Sequence, residues 1–416
     1  MTKSSVVVSG LGVTSAIGQG KREFASALLA GRSHFDVMRR PGRQRPPSVD
    51  ETGEQSSAFL GAEIADLAMP ESIPGSLLRT TSFSARVALA TLHEAWHDAK
   101  LERVEPERIG LVIGGSNIQQ REIVQLHDTY RGREQFLRPT YGISFMDSDL
   151  CGLCTDVFGI RGFAYTVGGA SASGQVAVLE AAHAVASGRV DVCIAIGALM
   201  DLSYWECQGF RSLGAMGSDR YADDPASACR PFDRDRDGFI FGESCAAVVV
   251  EKDESAQRSE RTPYARLTGW AMEMDANRNP NPSVEGEVAA IKTALDRAGL
   301  AAAEIDYINP HGTGSPIGDI TELESLRRSR LDHAYLNATK SIIGHGLSAA
   351  GAVELVAVLL QMEEGRLHPT RNLVNPIEPS FKWVKDQPVP HRIENALNLS
   401  MGFGGVNTAI CLQRYF

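Results

Sequence analysis

The apolar positions of the chain fall into short continuous runs separated by amphipathic or small-residue helical patterns. Ser5–Ser9 is a β-branched run that passes into G-L-G-V-T-S-A-I-G. Thr81–Ala99 carries Phe83, Val87, Ala90, Leu92, Ala95 and Trp96 at the spacing of one helix face. Ile109–Ile113 is a second apolar strand with a glycine exit, Gly114-Gly115-Ser116. Tyr165–Val178 reads Y-T-V-G-G-A-S-A-S-G-Q-V-A-V, an elbow of small residues that becomes a helix and stops at Ser187-Gly188. Val190–Leu199 is a further apolar run, so strand, helix and strand follow one another and predict a buried parallel or mixed sheet. The strand Ala246–Val250 precedes a polar stretch, Glu251–Thr262. Beyond it the same grammar returns: the helix Glu285–Ala298, the strand Ile305–Ile308, the helix Leu347–Met362 and a strand that enters the turn of Asn398–Asn407. The expectation is two α/β halves, 1–252 and 253–416, from a duplicated fold, although no residue-level repeat stands out.

Composition narrows the class. In 416 residues, 43% are apolar and 22% charged, an ordinary globular balance. No apolar run approaches the roughly 18 residues of a membrane span, and M-T-K-S-S-V-V-V-S-G reads as a strand beginning at once rather than a signal peptide. Seven cysteines fit reduced thiols in a cytoplasm. The net charge of −10 argues against general nucleic-acid binding.

Several local patterns invite chemistry. Ser171 sits where the Gly168-Gly169-Ala170 elbow meets a helix N-terminus, whose free N–H groups favour negative charge. It reads either as a reactive or positioning hydroxyl or as a helix cap. Gly10, Gly12 and Gly18 do not make a dinucleotide fingerprint. Cys151 and Cys154 lack a second pair and read as packed apolar side chains. Asp233, Asp235, Asp237 and Gly238 imitate a calcium loop, but Ser244 stands where that loop needs its glutamate, so a charged turn before a strand is expected. His311, in Y-I-N-P-H-G-T-G-S-P-I-G-D, and His345, in K-S-I-I-G-H-G-L-S, each follow an apolar strand and sit in a glycine-framed loop. Strand ends of this kind carry the ligand sites of open α/β sheets.

Taken in order, V-V-V-S-G-L-G-V-T-S-A-I-G, the elbow, P-F-D-R-D-R-D-G-F-I-F-G-E, H-G-T-G-S-P-I-G-D, K-S-I-I-G-H and G-F-G-G-V-N resemble the β-ketoacyl-acyl carrier protein synthases of the thiolase superfamily, end to end. The resemblance implies a thiolase fold, a duplicated five-layered αβαβα arrangement, and a homodimer. It also implies decarboxylative condensation by a cysteine nucleophile and two histidines. This chain departs from the family at the nucleophile, where Ser171 replaces the cysteine. An alcohol is a far weaker acid than a thiol and needs a dedicated base to attack, and no triad is visible. Loss of CO2 from a malonyl thioester needs only donors at the developing enolate oxygen. Serine for cysteine with both histidines kept resembles the freestanding decarboxylating ketosynthases of polyketide β-branching cassettes. Those turn malonyl-carrier protein into acetyl-carrier protein for a hydroxymethylglutaryl-synthase-like enzyme.

Carried over residue by residue, the resemblance implies that Ser171, His311, His345 and Lys340 are catalytic, that Thr313 and Ser315 bind the phosphopantetheine arm, that Phe403 forms the apolar wall and that Glu354 supports Lys340. Backbone N–H groups of Ser171 and Phe403 correspond to the family's second oxyanion hole. No metal and no cofactor beyond the carrier's arm are expected, and the expected partner is an acyl carrier protein. Two arginine clusters are candidates for its docking: Arg39, Arg40, Arg43 and Arg45, or Arg327, Arg328 and Arg330; both also read as solvated surface. The alternatives are a serine-acylating acyltransferase or condensing enzyme, a non-catalytic partner subunit, and a synthase with an introduced Cys→Ser change.

Overall fold

The computed structural model describes residues 5–45, 57–115, 117–256 and 262–415. Ser116, most of the Met38–Ser57 loop and residues 257–261 of the polar stretch lie outside them. The first half is built from β1 (Val6–Ser15), α1 (Phe83–Asp98), β2 (Ile109–Gly114), β3 (Phe163–Val167), α2 (Ser173–Ala186), β4 (Val192–Gly197) and β5 (Ser244–Lys252). The second half repeats it with β6 (Ala265–Met274), α3 (Val284–Ala298), β7 (Tyr307–Asn309), β8 (Tyr335–Leu336), α4 (Ala350–Glu364), β9 (Asn395–Gly402) and β10 (Val406–Arg414).

Strand order makes the duplication explicit. The first half runs β3-β2-β4-β5-β1 and the second β8-β7-β9-β10-β6. In each, the first two neighbouring pairs are parallel and the last two antiparallel. The halves join by an antiparallel pairing of β1 with β6, Val6 facing Leu267. Helix α1 covers β1 and β5, α3 covers β6 and β10, and α2 and α4 lie between the sheets and touch strands of both halves. This is the five-layered αβαβα arrangement.

Composition follows layer. The two central helices are apolar all round, as helices enclosed by protein must be: Ala350 to Met362 is buried without a break. Their N-termini pass each other at Gly174 and Gly351. A side chain on Gly174 would lie 2.9 Å from the Ser348 carbonyl, and one on Gly351 would lie 2.7 Å from Gln175 Cβ. Superimposing the halves by element reveals the residue-level repeat the linear reading lacked. Gly169-Ala170-Ser171-Ala172-Ser173-Gly174 before α2 corresponds to Gly346-Leu347-Ser348-Ala349-Ala350-Gly351 before α4. Six residues, small in all but Leu347, are too short a match in a chain of 416 to register without the fold.

Two other expectations change. The glycines after Ser9 do not end the first strand, which runs on to Ser15. They are there because α1 lies directly on β1: a side chain on Gly12 would meet the Thr91 carbonyl at 2.0 Å. Helix α1 is correspondingly buried on much more than one face, with Ser84, Ala85, Ala88, Leu89 and Thr91 enclosed alongside the expected stripe. Cys151 and Cys154 sit buried in one apolar cluster, and all seven cysteines are free thiols. Among the described residues no helix is long and apolar enough to cross a membrane.

Candidate active site

The repeat brings two equivalent elbows face to face. Ser171 lies in a short 3-10 turn, Ala170–Ala172, between β3 and α2. His345 precedes the equivalent turn, Leu347–Ala349, before α4. Each turn begins with a non-glycine residue in the left-handed region, Ala170 at φ 48° and Leu347 at φ 50°. Such residues cost on the order of 1–3 kcal/mol and persist only where packing enforces them. The two serines of the repeat have different fates. Ser348 Oγ donates to the Ala198 carbonyl at 2.8 Å, whereas Ser171 Oγ meets His345 Nε2 at 3.0 Å.

That contact has a direction. The Leu347 N–H donates to His345 Nδ1 at 3.3 Å. A neutral imidazole has one donor and one acceptor nitrogen, so Nε2 carries the proton and donates to Ser171 Oγ. His345 therefore cannot take the serine's proton, and the base that an attacking alcohol needs is missing from this contact.

His311 enters from the loop after β7, its ring centroid 5.5 Å from that of His345 and the planes at 84°. Its backbone is held at both ends: its N–H donates to Glu322 Oε1 at 2.6 Å and its carbonyl accepts from Lys340 Nζ at 2.5 Å. Lys340 also pairs with Glu354 Oε1 at 2.6 Å, both side chains being 1% exposed. Burial holds the pKa of both histidines well below the usual imidazole value, the Lys340 charge adds to it, and His345 adds further at His311. Both rings are neutral at physiological pH. Burial lifts Glu354 and Glu322 to about 7, opposed at Glu354 by Lys340 and at Glu322 mainly by the His311 and Gly312 N–H groups.

Ser171, His311 and His345 line an open cleft together with Thr313, Ser315 and Phe403. Thr313 and Ser315 are neighbours in its lining, and Thr313 Oγ1 accepts the Ser315 N–H at 3.1 Å. Phe403, 39% exposed, stands beside Phe210. Lys340 and Glu354 are behind the histidines rather than in the cleft.

The segment with the calcium-like spacing supports both histidine loops. Gly242 N–H donates to the His345 carbonyl at 3.1 Å, and His345 N–H donates to Ile240 O at 2.7 Å. Gly238 N–H donates to Gly314 O at 3.1 Å, and Arg236 reaches the Pro316 carbonyl at 2.7 Å. Asp233 accepts the N–H groups of Asp235 and Asn375, at 3.0 and 2.7 Å. Linear reading missed Glu322 and Asp319, whose carboxylates gather backbone N–H groups of the His311 loop. Their signal was present as acidic residues in the helix Gly318–Arg328 just after H-G-T-G.

One docking candidate is corrected. Arg43 is wholly buried and bonds Glu63, Asp201 and Glu243, and Arg40 is tied to the same Glu243. Burying those carboxylates requires the cations, so Arg40 and Arg43 are internal structure rather than part of a carrier-facing patch, while Arg39 and Arg45 stay exposed. Arg327 and Arg328 remain exposed, paired with Glu324, Glu378 and Glu285.

Residues 3–256 match the beta-ketoacyl synthase N-terminal domain family and residues 264–374 its C-terminal domain family. The chain is 60% identical over 416 residues to the polyketide biosynthesis malonyl-ACP decarboxylase PksF of Bacillus subtilis (strain 168), covering 99% of this chain and 98% of the relative. The ishigamide ketosynthase/chain length factor structure superimposes with a TM-score of 0.87 at 26% identity, covering 100% of both chains. The type II ketosynthase AntDE in complex with its acyl-carrier protein AntF gives a TM-score of 0.85 at 25% identity, covering 99% of this chain and 100% of that one.

Proposed function

The chain belongs to the beta-ketoacyl synthase family, and from that premise we propose that it decarboxylates malonyl-acyl carrier protein to acetyl-acyl carrier protein in polyketide biosynthesis, without condensation. The observation that carries the reading is the 60% end-to-end identity to a malonyl-ACP decarboxylase. The site supplies the physical reason: the atom at the nucleophile position accepts a hydrogen bond from His345 and has no base.

In this reading the phosphopantetheine arm enters past Thr313 and Ser315. The thioester oxygen lies between the Nε2 atoms of His311 and His345, both neutral and able to donate. The carboxylate faces the apolar side of the cleft near Phe403, where weak solvation favours its conversion to neutral CO2. The bond between the carboxyl and methylene carbons breaks, and its electron pair enters the thioester as an enolate. Each donor at such an oxyanion is worth about 2.7–4 kcal/mol. Lys340 and Glu354 act through the His311 loop as positioning residues.

A β-branching role for the acetyl product and a cytoplasmic homodimer belong to the same reading. The exposed Arg327–Arg328 pair is its carrier-docking candidate, at the far end of a helix whose first residue, Gly318, edges the cleft.

The test is substitution at the donors. His311→Ala and His345→Ala should each lower acetyl-carrier formation by roughly 10²–10³-fold. Wild-type rates in both would overturn the assignment.

A further inference from the structure

We propose that Ser171 is the proton donor that completes the reaction, passing its hydroxyl proton to the α-carbon of the enolate; this rests on the decarboxylase reading above. A hydroxyl has one hydrogen and two lone pairs. Because Leu347 N–H occupies His345 Nδ1, the 3.0 Å contact uses a Ser171 lone pair and leaves its O–H uncommitted. Among the described residues no acceptor takes that O–H, and the half-buried side chain lines the cleft.

Location adds a second argument. Ser171 lines the same cleft as His311 and His345, and its Oγ lies 3.0 Å from the His345 Nε2 that holds the thioester oxygen, so an enolate held there has its α-carbon within reach of the Oγ proton. The transfer runs downhill, since the α-carbon of a thioester enolate is a far stronger base than an alkoxide.

The electrons balance as follows. The O–H bond breaks and its pair stays on Oγ. The enolate π pair forms the new C–H bond, and the thioester carbonyl is restored. Water in the open cleft then reprotonates Oγ, and the hydroxide left behind combines with CO2 as bicarbonate. Negative charge thus passes from the thioester oxygen to Oγ, and one group serves both. His345 Nε2–H lies 3.0 Å from Oγ, which also sits at the N-terminal end of α2, where anions are favoured. The choice of residue follows: a thiol would be acylated, and alanine would carry no proton.

The experiment measures two quantities in buffer charged with ¹³CO2: acetyl-carrier formation, and ¹³C entering the carboxylate of unreacted malonyl-carrier. Wild type should form acetyl-carrier with no label in malonyl, because protonation outruns recapture of CO2. Ser171→Ala should form acetyl-carrier roughly 10²-fold more slowly, the low end of general-acid contributions, while label appears in malonyl. Ser171→Thr, which keeps the hydroxyl, should recover the acetyl rate and suppress the label. Wild-type acetyl formation by Ser171→Ala overturns the proposal, as does a slow variant that exchanges no label. Wild type that forms neither acetyl-carrier nor labelled malonyl sinks the decarboxylase reading itself.

A separate observation on α1 carries a second proposal: we infer that His93 and His97 bind a divalent transition metal. They stand in the order His93-Glu94-Ala95-Trp96-His97, the H-E-x-x-H spacing that puts two imidazoles on one helix face. Their Nε2 atoms are 3.1 Å apart and the ring centroids 4.3 Å apart at 70°. In this structure the two nitrogens share a hydrogen bond, which a bound ion would replace. With metal–nitrogen bonds of about 2.0–2.1 Å, the 3.1 Å separation corresponds to a ligand–metal–ligand angle of about 100°. The glutamate does not serve as a hydrolytic base, because its oxygens accept the Val13 and Lys21 N–H groups at 3.0 and 2.8 Å. No group of three or more ligating residues occurs among the described residues, so water completes the shell and the site binds without hydrolysing. Titration of the purified protein with Zn²⁺ should show one equivalent bound by wild type and none by His93→Ala or His97→Ala, with acetyl-carrier formation unchanged. Retention of that equivalent by both variants, or none bound by wild type, overturns it.

Discussion

Replacing Lys340 by methionine removes a cation that holds two groups at once, the Glu354 carboxylate and the His311 carbonyl. Losing one partner of a buried ion pair costs about 3–5 kcal/mol when the other charge remains. Glu354 has a way to shed its charge. Burial already lifts it to about 7 against the attraction of Lys340, so without that attraction it holds a proton in neutral solution. The loss near neutrality should therefore sit at the lower end, about 3 kcal/mol. It should grow as pH rises, because the unfolded chain releases this proton at a much lower pH than the folded one, so folding there demands proton uptake. The second consequence is at His311. Burial is the main reason its pKa lies low and the Lys340 charge is the next. Without that charge the pKa moves back toward the ordinary value of about 6.5. A protonated ring would then carry an N–H at Nδ1, an atom buried with no partner. Acetyl-carrier formation by the variant should fall off on the acid side, where wild type holds its rate. Denaturant unfolding at neutral and alkaline pH, with a pH–rate profile, measures both effects. Wild-type stability together with an unchanged profile would refute the role assigned to this pair.

Three further outcomes follow from the packing. Gly242→Ala places a Cβ 1.9 Å from the Ile343 carbonyl, beside the backbone bond that holds His345; it should cost about 1–3 kcal/mol and lower kcat, read by thermal melts and steady-state rates. Arg43→Met leaves Glu243 and Asp201 buried with fewer cations. It should destabilise by about 3 kcal/mol, since Arg40 and Arg121 still pair with them, and should leave the carrier KM unchanged. Ser171→Cys supplies a thiol at the helix terminus and should give an acyl adduct by intact-protein mass spectrometry; the same adduct on wild type would contradict the reading that Ser171 is not acylated.

The residues that face the cleft were legible because each lies in a short glycine-framed motif, although His345 follows the short helix Lys340–Ile343 rather than an apolar strand. Ser171, His311 and His345 could be named on that ground, and Lys340, Glu354, Thr313 and Ser315 through the family resemblance. What held them was not legible, because it crosses the chain. Glu243 is 200 residues from Arg43, and the pairing that removes Arg43 from the surface exists only once both are folded. The acidic segment Asp233–Glu243 resembled an isolated turn until its backbone was found bonded to both histidine loops. The direction of the His345–Ser171 bond depends on one backbone N–H two residues further on, which no side-chain pattern encodes. The six-residue repeat at the two elbows emerged only when strand order supplied the register.

The central claim is that this site removes CO2 from a carrier-bound malonyl group and forms no carbon–carbon bond. Intact-mass measurement of malonyl-carrier protein incubated with the purified enzyme tests it directly. The account predicts complete conversion to acetyl-carrier with the enzyme's own mass unchanged. A carrier that stays malonylated, or one that bears a condensed ketoacyl chain, would contradict it.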